Sequence, residues 1–162
     1  MKRFKYLVLA LLVFLLDQGT KLVVLDSLPL GDEREVLPFF SIVHWQNRGG
    51  LWGFLSSASE GVTFWIFLIL PFLGLAFLLY FFFTTKDRME MILISLIFGG
   101  ALGNVLDRII HGAVTDFLYF FIPGGPGWPA FNAADAFIST SLTVLLVRML
   151  FMGEKKDAPG TL

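Results

Sequence analysis

A chain of 162 residues has room for one domain, and 56% of its residues are hydrophobic while only 15% are charged. An average soluble domain has about 25% charged residues, so a soluble fold of this size could not cover so much apolar surface. The net charge of −1 gives no reason to expect a nucleic-acid partner, and the absence of cysteine excludes disulfides, thiolate catalysis and cysteine metal sites. We therefore expect a single membrane-embedded domain over residues 1–162.

Four stretches are apolar and long enough to cross a membrane, which takes about 20 residues. They cover about residues 4–25, 62–83, 89–110 and 131–152. The first imitates a secretory signal, but its apolar run ends in the residues LLDQ (15–18) instead of small residues, so we expect it to be retained. Pro71 interrupts the second stretch, which neighbouring membrane helices tolerate.

Two connections between these spans carry strand signals. Residues 36–45 (VLPFFSIVHW) and 114–121 (VTDFLYFF) are rich in β-branched and aromatic side chains. The expected fold class is all-α: a polytopic membrane protein of four transmembrane helices with a small extracytoplasmic β element. We also expect a short interfacial helix around residues 53–60 and a disordered tail over about residues 154–162.

Lysine and arginine residues lie mainly at the N-terminus, in the 84–90 link and in the C-terminal tail. Because cytoplasmic loops carry the excess of these residues, both termini and this link are predicted to be cytoplasmic. The two long connections then lie outside.

Polar residues from four segments meet at one depth under this topology, near the outer face. Charged groups inside membrane spans cost about 2.5–3.5 kcal/mol each, so their position is informative. The residues are Asp17 and Lys21 in the first span, Asn104, Asp107 and Arg108 in the third, Asp116 in the last connection, and Asn132 and Asp135 at the start of the fourth span.

Two of the acids are predicted to differ in their surroundings. Asp135 lies near a helix N-terminus, whose dipole favours the ionised form, and Asp116 lacks that help. A carboxyl pair of this kind suits acid–base chemistry. With no cysteine, and with no serine–acid constellation near either histidine, a carboxylate pair is the only catalytic equipment left. The alternative is that one acid caps a helix and the other is a surface charge.

Further alternatives stay open at this stage. Asp17 and Lys21 form either an internal ion pair or a substrate contact. Asp107 and Arg108 are expected to have a structural role, as a pair that fixes the end of the third helix. Asn47 is either a turn former or a substrate ligand. A proton-coupled transporter or channel also needs membrane acids, but these usually lie near the midplane. A non-enzymatic assembly factor needs no paired acids, and a site of Asp and Asn oxygens suits Mg²⁺ only weakly without phosphate.

Five motifs in order resemble those of the lipoprotein signal peptidases, or signal peptidase II. They are residues 17–21 (DQGTK, similar to D-Q-x-T-K), 47–50 (NRGG, similar to N-x-G-A), 99–108 (GGALGNVLDR, similar to G-G-A-x-G-N-x-x-D-R), 114–117 (VTDF, similar to V-x-D-F) and 131–135 (FNAAD, similar to F-N-x-A-D). The second motif departs from the family, which continues A-F where this chain has Leu51-Trp52. This departure concerns local substrate packing.

The resemblance implies an aspartic endopeptidase that removes the signal peptide of a prolipoprotein just before its diacylglyceryl-modified cysteine. It implies no cofactor or metal, a monomer in the bacterial cytoplasmic (inner) membrane, contact with membrane lipid, and inhibition by globomycin at the catalytic pair. Asp116 and Asp135 are the implied catalytic residues. The implied supporting residues are Asp17, Lys21, Asn47, Gly49, Asn104, Asp107, Arg108 and Asn132.

Overall fold

The computed structural model describes residues 3–49 and 60–152. Within these residues, four helices and three strands follow one another along the chain. They are α1 (Phe4–Ser27), β1 (Glu33–Leu37), β2 (Phe40–Asn47), α2 (Glu60–Thr84), α3 (Arg88–His111), β3 (Val114–Phe120) and α4 (Ala133–Met152). All four helices are long and apolar enough to cross a membrane, so the predicted four-helix membrane fold with a small β element is confirmed.

The length and the surface of the helices suit a bilayer. They contain between 20 and 25 residues, and at about 1.5 Å per residue each reaches across a hydrocarbon core of about 30 Å. Large apolar side chains lie on the outside of the bundle: Leu22, Phe77 and Leu150 are 64%, 65% and 70% exposed. Lipid contact replaces the protein contacts that these side chains lack.

Helix α3 is the centre of the bundle, because it packs against α1, α2 and α4. It begins at a cap in which the Asp87 carboxylate accepts hydrogen bonds from the N–H groups of Met89 and Glu90. It ends at Gly112, whose φ of 72° turns the chain into β3. Near this end of α3, the side chains of Asn104 and Asp107 are buried in the interior of the protein.

Small residues let the neighbouring helices approach α3 closely. A Cβ atom on Gly99 would lie 2.3 Å from the carbonyl oxygen of Ala10 in α1. A Cβ atom on Gly100 would lie 2.9 Å from the carbonyl oxygen of Ala134 in α4. Gly99 and Gly103 have the spacing of a small-xxx-small pair, and a Cβ on Gly103 would meet the Asp17 side chain of α1.

The three strands form one antiparallel sheet in the order β1-β2-β3. This sheet lies where α1 and α3 end and α2 and α4 begin, which we name the sheet end of the bundle. The strand-like segment 36–45 is a hairpin instead of one strand, because Pro38 and Phe39 form a two-residue turn between β1 and β2. Proline has no N–H group to donate to a strand ladder, so a turn is a natural place for it.

The chain before α4 is attached to the sheet. Phe131 exchanges two backbone hydrogen bonds with Leu118 of β3, at 2.8 and 3.1 Å. The next residue, Asn132, is thereby placed beside β3, and α4 begins at Ala133. The predicted interfacial helix around residues 53–60 and the predicted tail over 154–162 lie outside the described residues, except that Glu60 begins α2.

The first prediction concerns the approach of α1 to α3. In the Gly99→Ala variant, the added methyl group meets backbone atoms of α1, so the two helices must separate. We expect a loss of about 1–3 kcal/mol in the free energy of unfolding, the usual cost of overpacking. Denaturant unfolding in detergent micelles, followed by circular dichroism, measures this loss.

Gly74→Ala is the matched control, because Gly74 is also a helical glycine and a Cβ there meets nothing within 4 Å. Because alanine favours a helix more than glycine does, this control should keep or raise the free energy of unfolding, by no more than about 1 kcal/mol. Equal stability of the two variants would contradict the close packing of α1 on α3.

Candidate active site

The polar side chains that the sequence predicts to converge do so at the sheet end of the bundle. They come from α1, α3, β2, β3 and the start of α4, and hydrogen bonds connect them. The connected residues are Asp17, Lys21, Asn47, Asn104, Asp107, Asp116, Asn132 and Asp135.

Lys21 of α1 is buried between α1 and α3 and is only 2% exposed. Its Nζ lies 2.8 Å from Asp17 Oδ2, 2.9 Å from Asn104 Oδ1 and 3.0 Å from Asp107 Oδ2. An ammonium group has three protons to donate, and each of them has an acceptor here. The geometry therefore supports an internal ion pair of Asp17 with Lys21.

Asp17 and Asp107 link the helices to their neighbours. Asp17 Oδ1 accepts a hydrogen bond from the backbone N–H of Ala134 at 3.0 Å, which joins α1 to the first turn of α4. Asp107 Oδ2 accepts one from the N–H of Thr115 at 3.0 Å, which joins α3 to β3 next to Asp116. Both carboxylates thus hold backbone segments that carry other site residues.

Gln18 belongs to this network, although the sequence analysis did not single it out. Its Nε2 lies 3.1 Å from Asp107 Oδ1, 3.2 Å from Asp17 Oδ2 and 3.3 Å from the carbonyl oxygen of Gly103. The only sequence signal was its place inside the DQGTK motif. Gln18 and Asp17 are adjacent on α1 and their side chains point in different directions. The contact of Gln18 with Asp107 therefore could not be predicted from the spacing of the motif.

Asn132 holds both candidate catalytic acids. Its Nδ2 donates to Asp116 Oδ1 at 2.8 Å, and its backbone N–H donates to Asp135 Oδ2 at 3.2 Å. Its own Oδ1 accepts from the backbone N–H of Asp135 at 2.9 Å. The exchange between Asn132 and Asp135 is a capping box, in which each side chain accepts from the N–H group of the other residue.

Asn104 connects Lys21 to Asp135. Its Oδ1 accepts hydrogen bonds from Lys21 Nζ and, at 3.2 Å, from Asn132 Nδ2, and its Nδ2 donates to Asp135 Oδ1 at 2.8 Å. The two donors on one side determine the orientation of the amide. A donor therefore faces Asp135.

Asn47 holds the second oxygen of Asp116. Its Nδ2 donates to Asp116 Oδ2 at 3.0 Å, and its Oδ1 accepts from the N–H of Gly49 at 2.9 Å. Gly49 has a φ of 103°, and a Cβ there would overlap the ring of Phe67 at 2.2 Å. Only glycine fits position 49 of this turn. Asn47 both stabilises the turn, through Gly49, and contacts Asp116.

Arg108 lies apart from Asp107, its neighbour in sequence. Its Nη1 donates to the carbonyl oxygen of Asn104 at 3.2 Å, and its guanidinium carbon lies 6.0 Å from the centre of the Phe67 ring. Its charge interacts with those of Asp135, Asp116 and Asp107. The salt bridge of Asp107 is with Lys21, at 3.0 Å, so Asp107 and Arg108 make different direct contacts at this end of α3.

The pKa of the Asp116 carboxyl is raised to about 7, first by burial and then by the nearby charge of Asp135. The hydrogen bonds from Asn47 and Asn132 oppose this rise. At neutral pH Asp116 therefore holds a proton for about half of the time. A carboxyl that keeps a proton beside a second carboxyl can serve as a general acid.

A metal site was one alternative for these oxygen-bearing residues. Within residues 3–49 and 60–152, no group of three or more His, Asp or Glu side chains is arranged to hold a metal ion.

Comparison with known proteins gives a consistent result. A family model described as Signal peptidase (SPase) II matches residues 9–151. The lipoprotein signal peptidase of Vibrio campbellii is 40% identical over 158 residues, covering 95% of this chain and 91% of that protein. The lipoprotein signal peptidase of Cupriavidus taiwanensis is 42% identical over 143 residues, covering 88% of this chain and 80% of that protein.

Solved structures share the fold. One, described as a bacterial membrane enzyme determined by the in meso method at 2.3 Å resolution, has a TM-score of 0.82 at 31% identity and covers 98% of this chain and 94% of its own. A second, with the same description at 1.9 Å resolution, has a TM-score of 0.78 at 32% identity and covers 91% of this chain and 93% of its own.

The second prediction follows from the raised pKa of Asp116. The folded protein binds this proton more tightly than the unfolded chain, in which the pKa is about 3.8. The contribution of Asp116 to stability is therefore complete below about pH 4 and is lost as the pH rises through about 7. Between pH 5 and pH 8, we expect the free energy of unfolding to lose about 2–3 kcal/mol through this group.

Asp116→Asn removes the titrating group, so this pH-dependent loss should disappear from its unfolding curves in detergent. The comparison uses the change between pH 5 and pH 8, because asparagine at this position also loses one hydrogen bond at every pH. Asp26→Asn, which removes an exposed carboxyl of α1, is the control. The same pH dependence in wild type and Asp116→Asn would contradict a proton held at Asp116.

Proposed function

The chain belongs to the signal peptidase II family of proteases, and we propose that it cleaves prolipoproteins just before the diacylglyceryl-modified cysteine, with Asp116 and Asp135 as the catalytic pair. Membership of this family means removal of signal peptides from prolipoproteins. The aspartic mechanism within the membrane and the position of the cleaved bond are the proposed steps.

One observation carries the proposal: Asn132 contacts both carboxyl groups at once. Its amide donates to Asp116 and its backbone N–H donates to Asp135, so the two acids are held next to each other from different elements of the fold. An incidental pair of a cap and a surface charge would not need this bridge. Both acids are also largely removed from solvent, where a shared proton is favoured.

The surroundings suggest which acid holds the proton. Asp135 lies in the first turn of α4, where the helix dipole stabilises a negative charge, and it accepts hydrogen bonds from Asn104 and from the Asn132 backbone. Asp116 lies on a strand, and its pKa of about 7 favours a proton at neutral pH. We assign the base to Asp135 and the acid to Asp116.

The reaction then has four proton transfers, two as the water attacks and two as the carbon–nitrogen bond breaks. Asp135 takes a proton from a water molecule as the water oxygen attacks the carbonyl carbon of the scissile peptide bond. Asp116 gives its proton to the carbonyl oxygen, which yields a tetrahedral diol. When the carbon–nitrogen bond breaks, the proton on Asp135 passes to the leaving amine, and the proton returned by the collapsing diol restores Asp116.

The other polar residues support this pair in two ways. Asn47, Asn104 and Asn132 donate hydrogen bonds that orient the two carboxyl groups. Asp17 and Asp107 accept hydrogen bonds from the backbone that carries the pair, and Lys21 forms ion pairs with both of these carboxylates. Gly49 and Arg108 lie beside Phe67 of α2 at the same end of the bundle. We expect these two residues to adjoin the bound peptide.

The substrate is expected to reach the site from the lipid phase. Its diacylglyceryl chains pack between helices as membrane lipid does, and globomycin inhibits by occupying the catalytic pair. The described acids and their hydrogen-bond donors all come from one chain. A monomer therefore suffices for the reaction.

The topology is proposed from the distribution of lysine and arginine residues. Both termini lie in the cytoplasm of a bacterial cell, and the sheet end lies at the outer face of the cytoplasmic membrane. Prolipoproteins would then be cleaved on the side to which they are exported.

The third prediction tests the catalytic pair. Asparagine is nearly isosteric with aspartate but cannot carry the transferred proton, so Asp116→Asn and Asp135→Asn should each fold and lose nearly all cleavage. The double variant should be scarcely slower than either single variant, because residues that act as a unit are not additive. Single-turnover cleavage of a diacylglyceryl-modified prolipoprotein measures this, with and without globomycin.

Asp26→Asn is again the matched control and should cleave at the wild-type rate. Circular dichroism checks that each variant keeps its helices. Substantial cleavage by either single variant would falsify the assignment of that residue to the pair.

The fourth prediction tests the topology. A reporter enzyme that is active only outside the cytoplasm should be active when inserted at Gly125, in the connection between β3 and α4. The same reporter should be silent when fused after Glu154. The opposite pattern would reverse the orientation of the sheet end.

A further inference from the structure

A groove of about 520 Å³ runs along the outside of α1 at the sheet end. One wall is formed by α1 and the other by residues of the three strands. The walls include Leu15, Gly19 and Val23 of α1, Arg34 of β1, Ile42 of β2 and Phe117 of β3.

This groove is separate from the candidate active site. Leu15 and Val23 of its wall are 54% and 66% exposed, whereas Asp17 and Lys21 on the same helix are 0% and 2% exposed. The groove therefore lies on the outer side of α1 and the polar network on its inner side.

The length of the groove matches one leaflet of a bilayer. Its helical wall extends from Leu15, near the middle of α1, to Ser27 at the helix end. At about 1.5 Å per residue this distance is about 18 Å, close to half of a hydrocarbon core of about 30 Å. An acyl chain that enters at the sheet end would therefore lie along the apolar wall down to the bilayer midplane.

Among the described residues that line the groove, Arg34 is the only charged one. Its side chain is exposed, and within the described part of the chain its guanidinium has no hydrogen bond or ion pair. On β1, it lies at the end where α1 leaves the hydrocarbon core, which is the depth of lipid headgroups. Arginine binds phosphate through two parallel hydrogen bonds, so a phosphate at this depth would complement its charge.

We propose that the groove binds a glycerophospholipid from the leaflet on the sheet side, with one acyl chain along α1 and the phosphate bound by Arg34. The lipid joins α1 to the sheet from outside, opposite the contacts that Asp17 and Lys21 make inside. The occupant is a membrane phospholipid and not the lipid of the substrate. A diacylglyceryl group carries no phosphate and gives Arg34 no anion to bind.

The binding experiment uses the full chain, purified in detergent and freed of lipid. Palmitoyl-oleoyl phosphatidylglycerol is added, and native mass spectrometry measures the apparent Kd of the first bound lipid. Arg34→Gln should weaken binding about tenfold, the loss of about one hydrogen bond to a charged group. Palmitoyl-oleoyl glycerol, which has the same chains and no phosphate, should bind at least about tenfold more weakly than the phospholipid to the wild type.

A second pair of variants tests the apolar part of the groove. A Cβ on Gly19 meets nothing within 4 Å, so Gly19→Leu fills the groove without a clash and should abolish the tight binding. Gly74→Leu adds the same side chain to an equally open position of α2, outside the groove, and should leave the Kd unchanged. Thermal unfolding followed by circular dichroism checks that both variants are folded.

A photoreactive phosphatidylglycerol with its reactive group on the acyl chain gives an independent readout on the wild type. Its crosslinks should map to residues 15–28 or to Phe117. Equal Kd values for wild type and Arg34→Gln, equal binding of the phosphate-free lipid, unchanged binding to Gly19→Leu, or crosslinks confined to other segments would each overturn the proposal.

Discussion

The buried ammonium group of Lys21 is the constraint on which the rest of the site depends. An unpaired charge inside a protein costs several kcal/mol, so each of its three protons must find an acceptor. The acceptors are one oxygen each of Asp17, Asn104 and Asp107, from α1 and α3. The two carboxylates, Asp17 and Asp107, outnumber the single ammonium group by one charge. They also accept hydrogen bonds from backbone N–H groups of α4 and β3 and from the Gln18 amide.

Two routes lead from this ammonium group to the two candidate acids. Lys21 orients the Asn104 amide, whose Nδ2 then faces Asp135. Asp107, the other partner from α3, holds the backbone of Thr115, the residue before Asp116. The DQGTK motif thus helps to position both candidate acids without a direct hydrogen bond to either of them. The buried ammonium group of Lys21 therefore influences the positions of the Asp116 and Asp135 carboxyl groups through Asn104 and Asp107.

The sequence predicts the elements of this site better than its contacts. The sequence predicts that the polar residues meet at one end of the bundle. The lengths of the spans and the lysine and arginine bias are sufficient for this, because a membrane allows few arrangements of four helices. Contact partners depend on how helices are rotated against one another, which a single sequence does not encode locally. Adjacency in sequence groups Asp107 with Arg108, although residues adjacent on a helix do not face each other. The burial of His44, which is 6% exposed, could not be predicted from the sequence either, because the register of β2 with β3 shifts between Ile42 and Trp45.

The proposed difference between the two acids follows from the elements that carry them. Asp135 lies at the start of a helix, where N–H groups stabilise an anion, and Asp116 lies on a strand of an open sheet, which offers no such dipole. Lipid does not tolerate the unpaired backbone groups of an open sheet edge, so β3 must lie at the membrane boundary or be covered by protein. A pair made of one helix-borne and one strand-borne acid can therefore assemble near the boundary, or deeper only where protein covers the strand. Hydrolysis of a peptide bond consumes water, and the boundary is where water reaches a membrane protein.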